Sequence, residues 1–179
     1  AGDIGYRYLL RVLEEEGRSD VIFDMNSRSD VPGYGMQLAK GATALTESWA
    51  ALPTVSNNHF MLGHLMEWFY SGLGGIRQDE DAVAWNKIKI YPEVVGDLTS
   101  AKTTFNSPYG EIATSWQKLA NEFLLTVEIP ANTTATVYLP ATAKQKVTAA
   151  NQQKFKLLGY SNGRLKVSIG SGVYQFKVQ

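Results

Sequence analysis

Apolar residues recur at helical spacing in the first part of the chain and at strand spacing in the rest. Tyr6, Leu9, Leu10 and Leu13 fall on one face of a 3.6-residue period, with Arg7, Arg11 and Glu14 to Glu16 elsewhere, so an amphipathic helix is predicted to close near Gly17. A second, shorter helix is predicted from Ser19 through Val21, Ile22 and Phe23 to about Ser27, with Ser19 or Asp20 as its cap, giving a helical hairpin. Val31-Pro32-Gly33-Tyr34-Gly35 reads as a loop, because Pro32 biases Val31 to extended backbone and the two glycines permit turns. Lys40-Gly41-Ala42-Thr43 is a further break, after which Ala44 to Ala51 reads as a short helix ended by Pro53, with Glu47 near its start. Asn57 and Asn58 are candidate caps for a helix with an apolar face of Leu62, Leu65, Met66, Phe69 and Leu73, which Gly74-Gly75 stops. In its first turns His59 is expected to lie beside Gly63, whose missing side chain leaves room for the imidazole.

From Ile88 onward the period changes to two. Lys87 to Tyr91 and Glu111 to Lys118 show it first, and Phe123, Leu125, Val127 and Ile129 alternate after them. Ala135, Val137 and Leu139 follow, then Leu165, Val167 and Ile169, and last Tyr174, Phe176 and Val178. Pro130-Ala131-Asn132, Pro140, Ser161-Asn162-Gly163 and Gly170-Ser171-Gly172 are the turn signals between them. Short strands so punctuated predict an antiparallel β-sandwich, with the final pair joined around Gly170 to Gly172 as a hairpin. The chain therefore reads as α+β in two parts, a helical part over 1–85 and a sheet part over 86–179.

Composition narrows the function classes. Lys and Arg number 17 and Asp and Glu 17, so no overall basic field exists to hold nucleic acid or an anionic membrane, and neither is expected as a partner. The absence of cysteine removes disulfides, thiol nucleophiles and zinc-thiolate sites without fixing a compartment. The longest apolar window, Phe60 to Tyr70, is interrupted by His64 and Glu67 and is too short to span a bilayer. Ala1 to Tyr8 lacks the basic and apolar regions of a signal peptide. No cofactor or metal is expected.

The candidate chemistry lies between Gly33 and Trp68, where Glu47 stands among Thr43, Thr46, Ser48 and Trp49, and His59 follows in Ser56-Asn57-Asn58-His59. Taken alone, Glu47 reads as a solvated or capping carboxylate and His59 as polar surface. The sequence around them carries more. GYGMQLAKGATALTESW (33–49) followed by SNNHFMLGHLMEWFYSGLGGI (56–76) closely resembles the C-terminal part of the catalytic domain of bacterial α-L-rhamnosidases, glycoside hydrolase family 78. IKIYPEVV, SPYGEI and then Trp116 continue the resemblance in the family's order over nearly the whole chain.

That resemblance implies an inverting glycosidase releasing terminal α-L-rhamnose from rhamnose-containing glycosides. It implies helices from the end of an (α/α)6 barrel followed by a C-terminal β domain. Inversion needs a protonated carboxyl for the leaving oxygen and a second carboxylate to activate water from the opposite face, roughly 6.5 to 9.5 Å apart. By position in GATALTESW the general base is Glu47, and His59 is a substrate-binding residue that orients the sugar through its hydroxyls. Trp49 and Tyr34 are expected to line the sugar site because they are close to Glu47 in sequence. Many relatives place Trp before this glutamate and often Arg after it, where this chain has Thr46 and Ser48.

The family's general acid belongs to a motif upstream of Ala1. Asp24, Asp30, Glu67, Asp79, Glu80 and Asp81 qualify as substitutes only by residue type. The expectation is thus a C-terminal fragment, inactive without the missing N-terminal part of its parent and open to self-association through uncovered apolar helix faces. Periplasmic or extracellular bacterial location is favoured over cytoplasmic. The second reading is a non-catalytic carbohydrate-binding or interaction module in which Trp116, Tyr109, Tyr160 and Tyr174 stack on sugar, although Trp116 and Tyr174 fall within alternating strands and read as packing residues.

Overall fold

The computed structural model describes residues 2–150 and 153–179, and the chain divides into two compact units at the Trp68–Phe69 link. The first unit is helical and the second is built of strands.

Helix α1 (Asp3–Glu15) buries Tyr6 and Leu10 and ends where Gly17 takes a φ of +69°, a left-handed turn suited to glycine. Helix α2 (Ser19–Asn26) packs on it with Ile22 fully buried, as the apolar spacing predicts. Neither candidate cap serves as one: Arg18 occupies the N-cap without a side-chain bond. Ser19 Oγ instead accepts from Trp68 Nε1 at 2.9 Å, and Asp20 is held by Arg18 at 2.9 Å.

Where a loop is expected up to Gly35, a third helix, α3 (Tyr34–Ala39), begins at Tyr34. Gly35 permits it, since a Cβ there would stand 2.8 Å from Ser29 Cα, so only glycine lets the helix approach Ser29 this closely. The helix expected over Ala44 to Ala51 does not form. Thr46 Oγ1 donates to Ser48 O at 2.6 Å and Ser48 Oγ accepts from Ala50 N at 3.2 Å, local bonds that compete with helical ones. Ala51 turns the chain away at φ 48°.

The following helix is broken into a 3-10 turn (Phe60–Leu62) and α4 (Leu65–Trp68), with a π turn (Phe69–Leu73) opening the second unit. His59, not Asn57 or Asn58, is the cap, its Nδ1 accepting from Met61 N at 3.3 Å. Gly63 makes room for other neighbours than the imidazole, since a Cβ there would meet Phe60 O at 3.0 Å and Leu45 Cδ1 at 3.3 Å.

The second unit is two five-stranded sheets, ordered β1-β2-β6-β9-β8 and β3-β4-β5-β10-β7. The first contains β1 (Ile76–Gln78), β2 (Lys87–Ile90), β6 (Thr134–Leu139), β8 (Lys156–Ser161) and β9 (Arg164–Ile169). The other contains β3 (Ser100–Ser107), β4 (Gly110–Lys118), β5 (Phe123–Ile129), β7 (Val147–Ala149) and β10 (Gly172–Val178). Alternate residues of β2, β4, β5, β6, β9 and β10 form one core, including Ile88, Ile112, Leu125, Val137, Val167 and Phe176. Pairing is antiparallel except that β2 runs parallel to β6.

One expectation about this unit is corrected. The strands flanking Gly170 are not a hairpin: β9 pairs with β6 and β8, and β10 with β5 and β7, so Gly170-Ser171 carries the chain from one sheet to the other. The strand-to-strand turn on β9 is instead Asn162-Gly163, with φ of 49° and 71° at the two positions, the left-handed pair that a tight hairpin favours. Trp116 is a core residue, as its place in an alternating strand predicts, being 1% exposed, with Nε1 donating to Leu73 O at 2.7 Å. Thr114 Oγ1 donates to the neighbouring Gly74 O at 2.7 Å. Behind them Gly75, at φ 71°, lies so near Pro92 that a Cβ would come within 2.2 Å of its nitrogen.

Candidate active site

Two backbone bonds tie the glutamate segment to the histidine segment. Glu47 N donates to Ser56 O at 2.9 Å and His59 N to Leu45 O at 2.7 Å, so residues 45–47 and 56–59 lie side by side. The Glu47 carboxylate is exposed and accepts from Ser56 N through Oε2 at 3.1 Å. It is thereby held at Oε2 by a backbone amide. His59 is half-buried, its ring stacked on Phe60 at 5.8 Å and its Nδ1 accepting from Met61 N, which leaves Nε2–H as a donor.

Trp49 and Tyr34 meet edge to face at 5.1 Å. Tyr6 completes the cluster, 4.9 Å from Trp49 and 6.4 Å from Tyr34. The Tyr34 hydroxyl donates to Leu62 O, and Tyr6 OH donates to Asn26 Oδ1 at 2.7 Å. A cavity of about 420 Å³ opens on Tyr6 and Trp49, with Asp24, Asn26 and Arg28 among its walls. A second, of about 340 Å³, is lined by Tyr34, Gln37, Thr43 and Leu45. Neither cavity is lined by Glu47 or His59. Among the described residues no group of three or more His, Asp or Glu is gathered to hold a metal.

Burial pushes the Tyr34 phenol far above its ordinary range, with Tyr6 beside it adding to the shift. Tyr6 is also raised by burial, opposed by its hydrogen bonds. A phenol with a folded-state pKa above its unfolded value stabilises the fold fully below about pH 10 and loses that contribution as pH climbs toward the folded value. Absorbance titration at 295 nm should therefore show Tyr6 and Tyr34 still protonated above the ordinary phenol range, and releasing together with loss of helical signal. Release of either within that range with the fold intact would contradict this.

The sequence places Glu47, His59, Tyr34 and Trp49 in one region, and the structure adds Tyr6 beside Trp49 and Gln37 against Thr46. Tyr6 was legible only as a core position of α1, and Gln37 carried no signal at all. Residues 1–73 match a family model described as the bacterial alpha-L-rhamnosidase 6 hairpin glycosidase domain, and residues 75–154 match one described as the bacterial alpha-L-rhamnosidase C-terminal domain. The chain belongs to the bacterial alpha-L-rhamnosidase family. The alpha-L-rhamnosidase structure from Dictyoglumus thermophilum superposes with a TM-score of 0.88 at 31% identity, over 99% of this chain and 21% of that one. That of Streptomyces avermitilis, solved with L-rhamnose, gives 0.88 at 30%, over 99% of this chain and 18% of that one. A curated alpha-L-rhamnosidase of Alteromonas sp. is 27% identical over 99% of this chain and 19% of its own length. The chain thus spans about a fifth of the rhamnosidases it matches. Its short helices followed by two largely antiparallel sheets are the arrangement shared with these rhamnosidase structures.

Proposed function

We propose that this chain serves as the C-terminal part of an inverting glycosidase that releases terminal α-L-rhamnose, and that Glu47 is its general base. The observation carrying the reading is the Glu47 carboxylate itself. It is exposed, held from one side by the Ser56 amide, and set on a segment bonded to the one bearing His59. A carboxylate so placed can take a proton from water with its position fixed beforehand. His59 Nε2 contacts a sugar hydroxyl, and Tyr34 and Trp49 supply apolar surface beside the ring. The general acid comes from the larger share of the rhamnosidase that this chain does not include, in a helical (α/α)6 barrel of which the helical part of this chain is the end, the strands from Ile76 on being the appended β domain. Among the described residues no helix is long and apolar enough to cross a membrane. A periplasmic or extracellular setting is part of the same proposal.

Incompleteness has a visible correlate in α1, where Tyr8 and Val12 stand four residues apart with 66% and 56% of their surface exposed. Apolar side chains in one row on one helix face call for a partner. Two results are expected of the purified 179-residue chain: no cleavage of any aryl glycoside, and reversible self-association in sedimentation. The longer polypeptide should cleave the α-L-rhamnoside alone from a panel of aryl glycosides. Hydrolysis by the 179-residue chain, or a preference of the longer one for another sugar, would overturn the assignment.

A further inference from the structure

We propose that Gln37 is a positioning residue for Glu47, acting through Thr46; the inference rests on the reading of Glu47 as general base. Gln37 sits on α3 with 3% of its surface exposed, and its Oε1 accepts from the backbone N of Thr46 at 3.4 Å. Thr46 is wholly buried and donates through Oγ1 to Ser48 O at 2.6 Å. Glu47 is therefore gripped on both sides, by a side-chain bond to the residue before it and by a bond that closes over it to the residue after. Its own amide and carboxylate complete the hold on Ser56. α3 is in turn seated by the close approach of Gly35 to Ser29. The path from helix to carboxylate is short and made of named bonds.

Gln37 is a poor choice for packing alone. Its Nε2 is buried without a hydrogen-bond partner among the described residues, so the side chain carries an unmet donor that methionine of similar size would not. What the amide contributes is one acceptor, and that acceptor ends at the residue preceding the base. A buried side chain that leaves its donor unmet while its one acceptor holds the Thr46 amide points to geometry rather than stability.

The test uses the longer polypeptide and this chain side by side. Gln37→Met removes the orphan donor at Nε2 but leaves the buried Thr46 N–H without its acceptor, so one unmet donor replaces another and the melting temperature should change little. Turnover should fall by about 10- to 100-fold at unchanged KM, as a base shifted by a fraction of an ångström requires. Gln37→Glu assayed near pH 5, where a buried carboxyl stays neutral and keeps a carbonyl oxygen for Thr46, should recover most of the turnover. In the 179-residue chain the Thr46 amide should exchange at least about tenfold faster in Gln37→Met. Gln37→Met with a lowered melting temperature and parental turnover per folded molecule would show a structural role only and overturn the proposal, as would unchanged exchange at Thr46. If Glu47→Gln lowers turnover and Gln37→Met does not, the positioning role fails alone; if neither does, the base assignment has failed.

Discussion

Glu47→Gln in the longer polypeptide should lower turnover of an aryl α-L-rhamnoside by about 10²- to 10⁴-fold with KM little changed, the loss expected when a general base is removed from the attacking step. The substitution is chosen because it keeps the local structure. A glutamine oxygen still accepts from Ser56 N, and the backbone bond from Glu47 N to Ser56 O does not involve the side chain. What disappears is the capacity to take a proton. Melting temperature and circular dichroism of the variant should match the parent's, because the side chain is exposed and makes its single described hydrogen bond to a backbone amide. A variant as active as its parent, or one that loses activity only by unfolding, would make Glu47 a surface residue of the 45–59 region and nothing more.

Trp116→Ala should cost the second unit about 3–5 kcal/mol, the range for truncating a buried aromatic. The indole is 1% exposed and stacks on Phe123 with centroids 6.0 Å apart. It also holds Leu73 O through its ring nitrogen, so alanine leaves both a cavity and a carbonyl without its donor. Loss of that size lowers a melting temperature by on the order of 10 °C or more in a unit of this length. Tyr109→Ala is the matched control, since Tyr109 is 41% exposed and its removal should be felt within about 0.5 kcal/mol. Thermal melts of the two variants decide it, and equal effects would mean that Trp116 is not the anchor its burial indicates.

Much of this fold was legible in the alternation of the chain. The strands over Lys87–Ile90, Phe123–Ile129, Thr134–Leu139 and Arg164–Ile169 follow from apolar residues at every second position, because each buries one face in a shared core. β3 escaped notice since its inward positions are Ala101, Thr103 and Phe105, half-buried at a sheet edge where threonine does as well as valine. β8 escaped because most of it is exposed and a bulge lies between Leu157 and Gly159. Which strands pair is a long-range property. Gly170 looked like a hairpin turn because local sequence does not say whether a glycine bend returns to the same sheet or crosses to the other.

The site shows the same division between local and long-range information. Glu47 and His59 are read from a motif, and Trp49 and Tyr34 only from their nearness to Glu47 in sequence. The conformation around them was misread, because Thr46 and Ser48 look compatible with a helix until their hydroxyls are seen bonding the backbone. Gln37 was invisible for a different reason. A lone glutamine on a helix reads as surface, and only its burial against Thr46 reveals what it touches.

The most direct measurement of the central claim is chemical rescue of Glu47→Gly in the longer polypeptide, with azide as a small external nucleophile and the product read by NMR. Removal of the base leaves space on the water-side face, and an inverting site should let azide attack there while the general acid still protonates the leaving group. The account predicts that azide restores cleavage of an aryl α-L-rhamnoside and that the product is β-L-rhamnosyl azide. No rescue, or rescue that yields the α-azide, would contradict Glu47 as the base of an inverting rhamnosidase.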